Sequence, residues 1–71
     1  MIHTDMQYNA LHAIAKRCND KMKSIDRLDL KALSNAIDPF EEQAKLIGFS
    51  RTHILQEIGV INGRLRNRRL D

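Results

Sequence analysis

At 71 residues, with 42% hydrophobic and 30% charged residues and a formal net charge of +3, the composition is that of one globular domain (1–71) and excludes a disordered chain. One cysteine, Cys18, rules out an intrachain disulfide, and the scattered histidines His3, His12 and His53 form no zinc-spaced cluster with it. No apolar run approaches the roughly 20 residues that span a bilayer, and Met1 to Asp5 lack the basic and apolar regions of a signal peptide.

A lone thiol suits the reducing cytoplasm, where the protein is expected, with no membrane partner. A domain of this length buries roughly 60% of its surface and is marginal alone. With no disulfide and no metal to stiffen it, self-association as a homodimer is the expected supplement. The charge is uneven. Residues 1–50 carry seven Lys/Arg against seven Asp/Glu, so the whole excess lies in residues 51–71. Such asymmetry suits an anionic partner, while cations near a helix C-terminus also favour its dipole.

The first helix is predicted over 5–23, capped by Thr4 or Asp5. Leu11, Ile14, Cys18, Met22 and Ile25 recur at steps of three and four on one face, flanked by Ala10 and Ala15, opposite Lys16, Asn19, Asp20 and Lys23. A second helix is predicted over 27–37, capped by Ser24, Asp26 or Asp29, with Leu28, Leu33, Ala36 and Ile37 inward. Asp38-Pro39 is expected to end it, because a residue before proline is steered away from helical angles.

The same dipeptide predicts the start of a third helix, 39–47. Asp38 is its N-cap, Pro39 its first residue, and Glu41 completes an Asp-x-x-Glu variant of the capping box. Phe40, Ala44 and Ile47 face inward, and Gly48 suits the left-handed position that stops a helix. Ser50 caps a fourth helix, 51–68, with Ile54, Ile58, Ile61 and Leu65 on its stripe and Leu55 and Val60 off it. Gly59 and Gly63 each weaken this helix by about 1 kcal/mol relative to alanine. Asn62-Gly63 is a possible early stop, but the apolar period through Leu65 favours continuity. The expected fold is an all-α bundle of about four helices with a helix-turn-helix-like hairpin centred on Gly48.

Phe40 to Gly59, 20 of the 71 residues, resembles the helix-turn-helix segment of phage Cro-type repressors and of the Fis family. Ala44 stands at the small residue of the close crossing, Ile47 under the turn, Gly48 in it, Phe49 after it, Ser50 at the cap and Ile54 at the apolar anchor. The resemblance implies that Ser50, Arg51 and Thr52, with Gln56 a turn further on, face a DNA major groove. Arg51 then suits guanine, Gln56 adenine, and Thr52 or a protonated His53 a phosphate. Two positions depart from the pattern. Glu57 stands where an apolar residue is expected, and Leu55 where a polar one is. They imply a rotated second helix with Glu57 near the phosphates.

Two functions follow. One is a phage- or plasmid-type transcriptional regulator that binds duplex DNA through Ser50, Arg51, Thr52, His53 and Gln56, with Arg64, Arg66, Arg68 and Arg69 gripping phosphates. The other is a helical protein-binding module, an antirepressor or inhibitor of a regulatory protein, using Leu55, Val60, Arg64, Arg68 and Leu70. Arginine serves either, since it pairs bidentately with phosphate or carboxylate. Catalytic residues, metal ligands and cofactors are expected to be none. There is no phosphate-binding glycine loop and no zinc-helix motif. Cys18 lies on an apolar stripe, where an inert core thiol is the ordinary reading. His53 and Glu57, four apart, read as a surface pair.

Overall fold

The computed structural model describes residues 4–66. They form three helices, α1 (Asp5–Lys23), α2 (Leu30–Lys45) and α3 (Arg51–Ile61), with no strand among the described residues. The all-helical class holds. The number and limits of the helices depart from the four predicted.

α1 has the expected bounds, and its start is a reciprocal cap. The Gln7 amide N–H donates to Thr4 Oγ1 at 3.2 Å, and the Thr4 N–H donates to Gln7 Oε1 at 2.8 Å. The Gln7 side-chain amide also donates to the Ile47 carbonyl at 3.0 Å, tying the start of α1 to the end of α2. Leu11, Ile14, Ala15 and Cys18 are buried along one stripe. Asn19, predicted on the polar face, is buried too. Its side chain and that of Asn62, beyond α3, exchange two hydrogen bonds of 2.9 and 3.2 Å, which satisfies an amide otherwise costly to bury.

α2 begins later than predicted. Of the three candidate caps, Asp29 takes the role, its carboxylate accepting the Ala32 N–H at 3.0 Å, while Asp26 accepts from the Leu28 N–H and closes a turn. Leu28 therefore falls in the loop, 88% exposed, instead of packing inward.

The break at Asp38-Pro39 does not occur. Pro39 lies inside α2, and the predicted helices 27–37 and 39–47 are one. Local capping chemistry favoured a break, but tertiary packing favours continuity. Leu33, Ile37, Phe40, Ala44 and Ile47 keep steps of three and four across the proline, so one unbroken helix lays them along one row. Ile37 and Ala44 are buried, and Phe40 and Ile47 pack against the same cluster. Arg51, from α3, reaches both sides of the proline by bonding Ser34, Asp38 and Glu41, which share a face only if the helix continues.

α2 ends at Lys45, short of the predicted 47, and Gly48 follows in the turn with a φ of 85°. The Phe49 N–H returns to the Ala44 carbonyl at 2.9 Å and the Gly48 N–H to Lys45 at 3.1 Å, the paired bonds of a Schellman motif. Phe49 is thereby carried into the core. α3 ends the same way, and this corrects the predicted 51–68. Gly63 has φ 76°, the Arg64 N–H bonds Gly59 at 2.8 Å, and the Gly63 N–H bonds Val60 at 3.1 Å. The apolar step to Leu65 is real, but a reversal of the chain achieves it. Leu65 folds back over Gly59, and a Cβ there would come within 3.1 Å of it.

α1 is the common partner, packed against both other helices, which touch each other less. The core comprises Leu11, Ala15 and Cys18 from α1, Ile37 and Ala44 from α2, Phe49 from the turn, and Ile54 and Ile58 from α3. Full burial of a side chain such as Leu11 or Ile54 stabilises the fold by about 1.5–3 kcal/mol each.

Candidate functional site

The residues proposed to read DNA occupy the start of α3, and the structure gives most of them a partner within the chain. Ser50 and His53 cap one another. The Ser50 backbone N–H donates to His53 Nδ1 at 3.0 Å, and Ser50 Oγ lies 2.9 Å from the same nitrogen. A nitrogen that accepts from a backbone amide carries no proton, so the proton of the neutral ring is on Nε2. The ring stands edge-on to Phe49, with centroids 5.1 Å apart.

Arg51 is held more firmly. Its Nε donates to Glu41 Oε1 at 2.6 Å, one terminal nitrogen to Ser34 Oγ at 3.1 Å, and the other to the Asp38 carboxylate. Lys45 lies 3.3 Å from Glu41 and 3.5 Å from Glu42. The hydrogen bond from Arg51, and after it that from Lys45, holds the Glu41 carboxyl below the usual carboxylate range. The bond to Glu41 raises Arg51 above its ordinary value. Two cations thus face three carboxylates, and the α3 start presents no net positive charge. Thr52 is exposed and Gln56 half-buried.

Glu57 is not near a surface where phosphates would lie. It is 1% exposed, and its Oε2 is 2.8 Å from His12 Nδ1 on α1. The position that the family pattern reserves for an apolar side chain is buried here as well, but a paired carboxylate fills it. The pair joins α1 to α3 and is not the His53–Glu57 surface pair expected from the sequence.

The residues of the alternative site come closer together. Leu55 is 44% exposed and forms part of the wall of an open groove of about 430 Å³ between the end of α1, the start of α2 and the end of α3. Ile58 and Gly59 are buried at its base, and Met22, Leu33 and Leu55 supply further apolar surface. Among the described residues, Lys23, Arg27 and Arg64 are the charged ones that line it, all exposed, and no carboxylate does. The Asn19–Asn62 pair closes one side.

Val60 is half-buried and does not line the groove, and Arg66 is exposed nearby in sequence. Arg68, Arg69 and Leu70 lie outside the described residues. Sequence reasoning missed Met22, Lys23, Arg27 and Leu33 as groove residues. From the sequence Lys23 reads as part of the polar face of the first helix and Arg27 does not stand out; only the packing of three helices brings them to Arg64.

Cys18 is fully buried, with Sγ 3.8 Å from the Met22 sulfur. Burial pushes its thiol up, against a smaller opposing effect of Arg51. Among the described residues no group of three His, Cys, Asp or Glu side chains is placed to hold a metal ion, and no helix is long and apolar enough to cross a membrane. Comparisons with protein-family models, curated proteins and solved structures found no match.

Proposed function

We propose that the chain is a small helical protein-binding module, of the inhibitor or antirepressor type, which meets a regulatory protein in the cytoplasm through the face that carries Leu55. The observation that carries this reading is the groove itself. An apolar surface lined by cations belongs to a recognition site more than to a solvated face. Leu55, anomalous on a DNA-reading helix, has a use there.

The test is affinity purification from the source cell with the wild type and with Leu55→Asp, the eluates examined for protein and for DNA. A co-eluting regulatory protein that is lost with the variant supports the reading. Recovery of nucleic acid alone, or of the same protein with both baits, refutes it.

A second reading, a phage-type transcriptional regulator bound to duplex DNA through its helix-turn-helix, is supported by the helix, left-handed Gly48 and Ser50-capped helix in sequence. Against it stand the carboxylates that engage Arg51. Fluorescence anisotropy with duplex DNA at low salt tests it, and absence of binding there ends it. Under either reading a homodimer would cover some of the exposed Met6, Leu28, Leu30 and Leu46. Light scattering across a concentration series tests that, and a monomer throughout refutes it.

A further inference from the structure

We propose that the groove beside Leu55 receives an acidic amphipathic helix of the partner protein. This rests on the protein-binding reading and specifies its ligand.

The charge argument comes first. Among the described residues, Lys23, Arg27 and Arg64 line the groove and no carboxylate does. Asp20 pairs with Lys23 at 3.7 Å, from the solvent side of α1. Asp26 and Asp29, in the adjoining loop, are each engaged by a backbone N–H, of Leu28 and Ala32. Arg64 stands on a fixed backbone, because the Schellman bonds to Gly59 define where α3 ends. Arginines at a site margin suit carboxylates, which they can bind bidentately, and they repel a basic partner.

The apolar surface decides between classes of anion. A nucleic-acid backbone would satisfy the cations but leave Met22, Leu33 and Leu55 against phosphate and sugar. A peptide with an apolar stripe covers both. Its conformation follows from hydrogen bonding. The groove is formed mainly by helices, whose backbone groups are already bonded internally, and no strand edge exists among the described residues. A bound segment finds few main-chain partners and has to satisfy its own, which a helix does. Helix-in-groove recognition uses apolar anchors at i, i+3 or i+4, and i+7, and the groove, about 430 Å³, has room for a short row of them.

The experiment is selection of a random-peptide display library on the full chain at low salt, with the Leu55→Asp protein as counter-target. Leu55 and Arg64 are exposed positions, and far-UV circular dichroism verifies that their variants are folded. The expected peptides carry apolar residues at helical spacing flanked by Asp and Glu. A synthetic peptide of that consensus should gain helix on binding and bind Arg64→Glu at least about tenfold more weakly, with affinity falling as salt rises.

A basic or uncharged consensus that still requires Leu55 overturns the acidic ligand and leaves the protein-binding reading standing. Acidic peptides bound without gain of helix overturn the helical mode alone. Peptides that bind Leu55→Asp equally, no enrichment at all, or selective binding of a duplex DNA probe in their place overturn both.

Discussion

Replacing Pro39 by alanine separates two arrangements of residues 30–47 by the sign of a single stability change. In the structure Pro39 is inside α2 and exposed, so the substitution removes little packing. Proline in a helix interior costs about 3 kcal/mol relative to alanine, through the missing N–H and the clash with the preceding turn. Alanine restores a donor for the Asn35 carbonyl. It also gives the unfolded chain more freedom, which offsets about 0.4–1 kcal/mol. The net expectation is stabilisation by about 2 kcal/mol, and at about 4–8 °C per kcal/mol for a domain this small the Tm should rise by about 8–16 °C. If Pro39 instead opened a separate helix, its N–H would be unneeded and its φ already suitable, and alanine would destabilise by up to about 1 kcal/mol. Thermal and urea unfolding followed by far-UV circular dichroism distinguish the two. A lowered Tm refutes the continuous helix.

Three further outcomes are expected. Ile54→Ala, at a fully buried position, should cost about 2–5 kcal/mol, whereas the adjacent Leu55→Ala should cost less than about 1 kcal/mol; equal losses in urea titrations would mean that α3 is rotated from the described pose. The depressed Glu41 carboxyl contributes stability that is fully present above its unfolded pKa of about 4.5 and is lost as pH falls through its lower folded value; wild type and Glu41→Gln should therefore differ in Tm at neutral pH and converge on acidification, and parallel curves would refute the contact. Cys18, buried with a raised thiol, should react with a thiol reagent only on unfolding, so labelling at the same rate in native buffer and in urea would contradict its placement.

What the sequence made legible was local. Thr4, Gly48 and Ser50 each act within a few residues, so spacing locates the α1 stripe, and glycine and capping chemistry locate the turn. Pro39 was misread because Asp38, Pro39 and Glu41 together carry the chemistry of a helix start. The same residues serve a different end when Arg51, three residues beyond Gly48, bonds Asp38 and Glu41. Glu57 and Asn19 were misread for a related reason. A buried polar residue is recognisable by its partner, and His12 and Asn62 lie more than 40 positions away along the chain. The candidate groove was half visible. Leu55 and Arg64 stood out as a misplaced apolar side chain and part of a basic cluster, but the elements that complete the groove are brought there by tertiary packing.

The central position of α1 has a consequence during synthesis. Its apolar face leaves the ribosome before either of the helices that cover it has been made. Until α3 emerges, Leu11, Ala15 and Cys18 have only part of their shelter, and neither Glu57 for His12 nor Asn62 for Asn19 has yet been made. A nascent chain stalled after α2 should therefore be captured by chaperones or degraded, and release from that state should coincide with the arrival of Ile54 to Asn62.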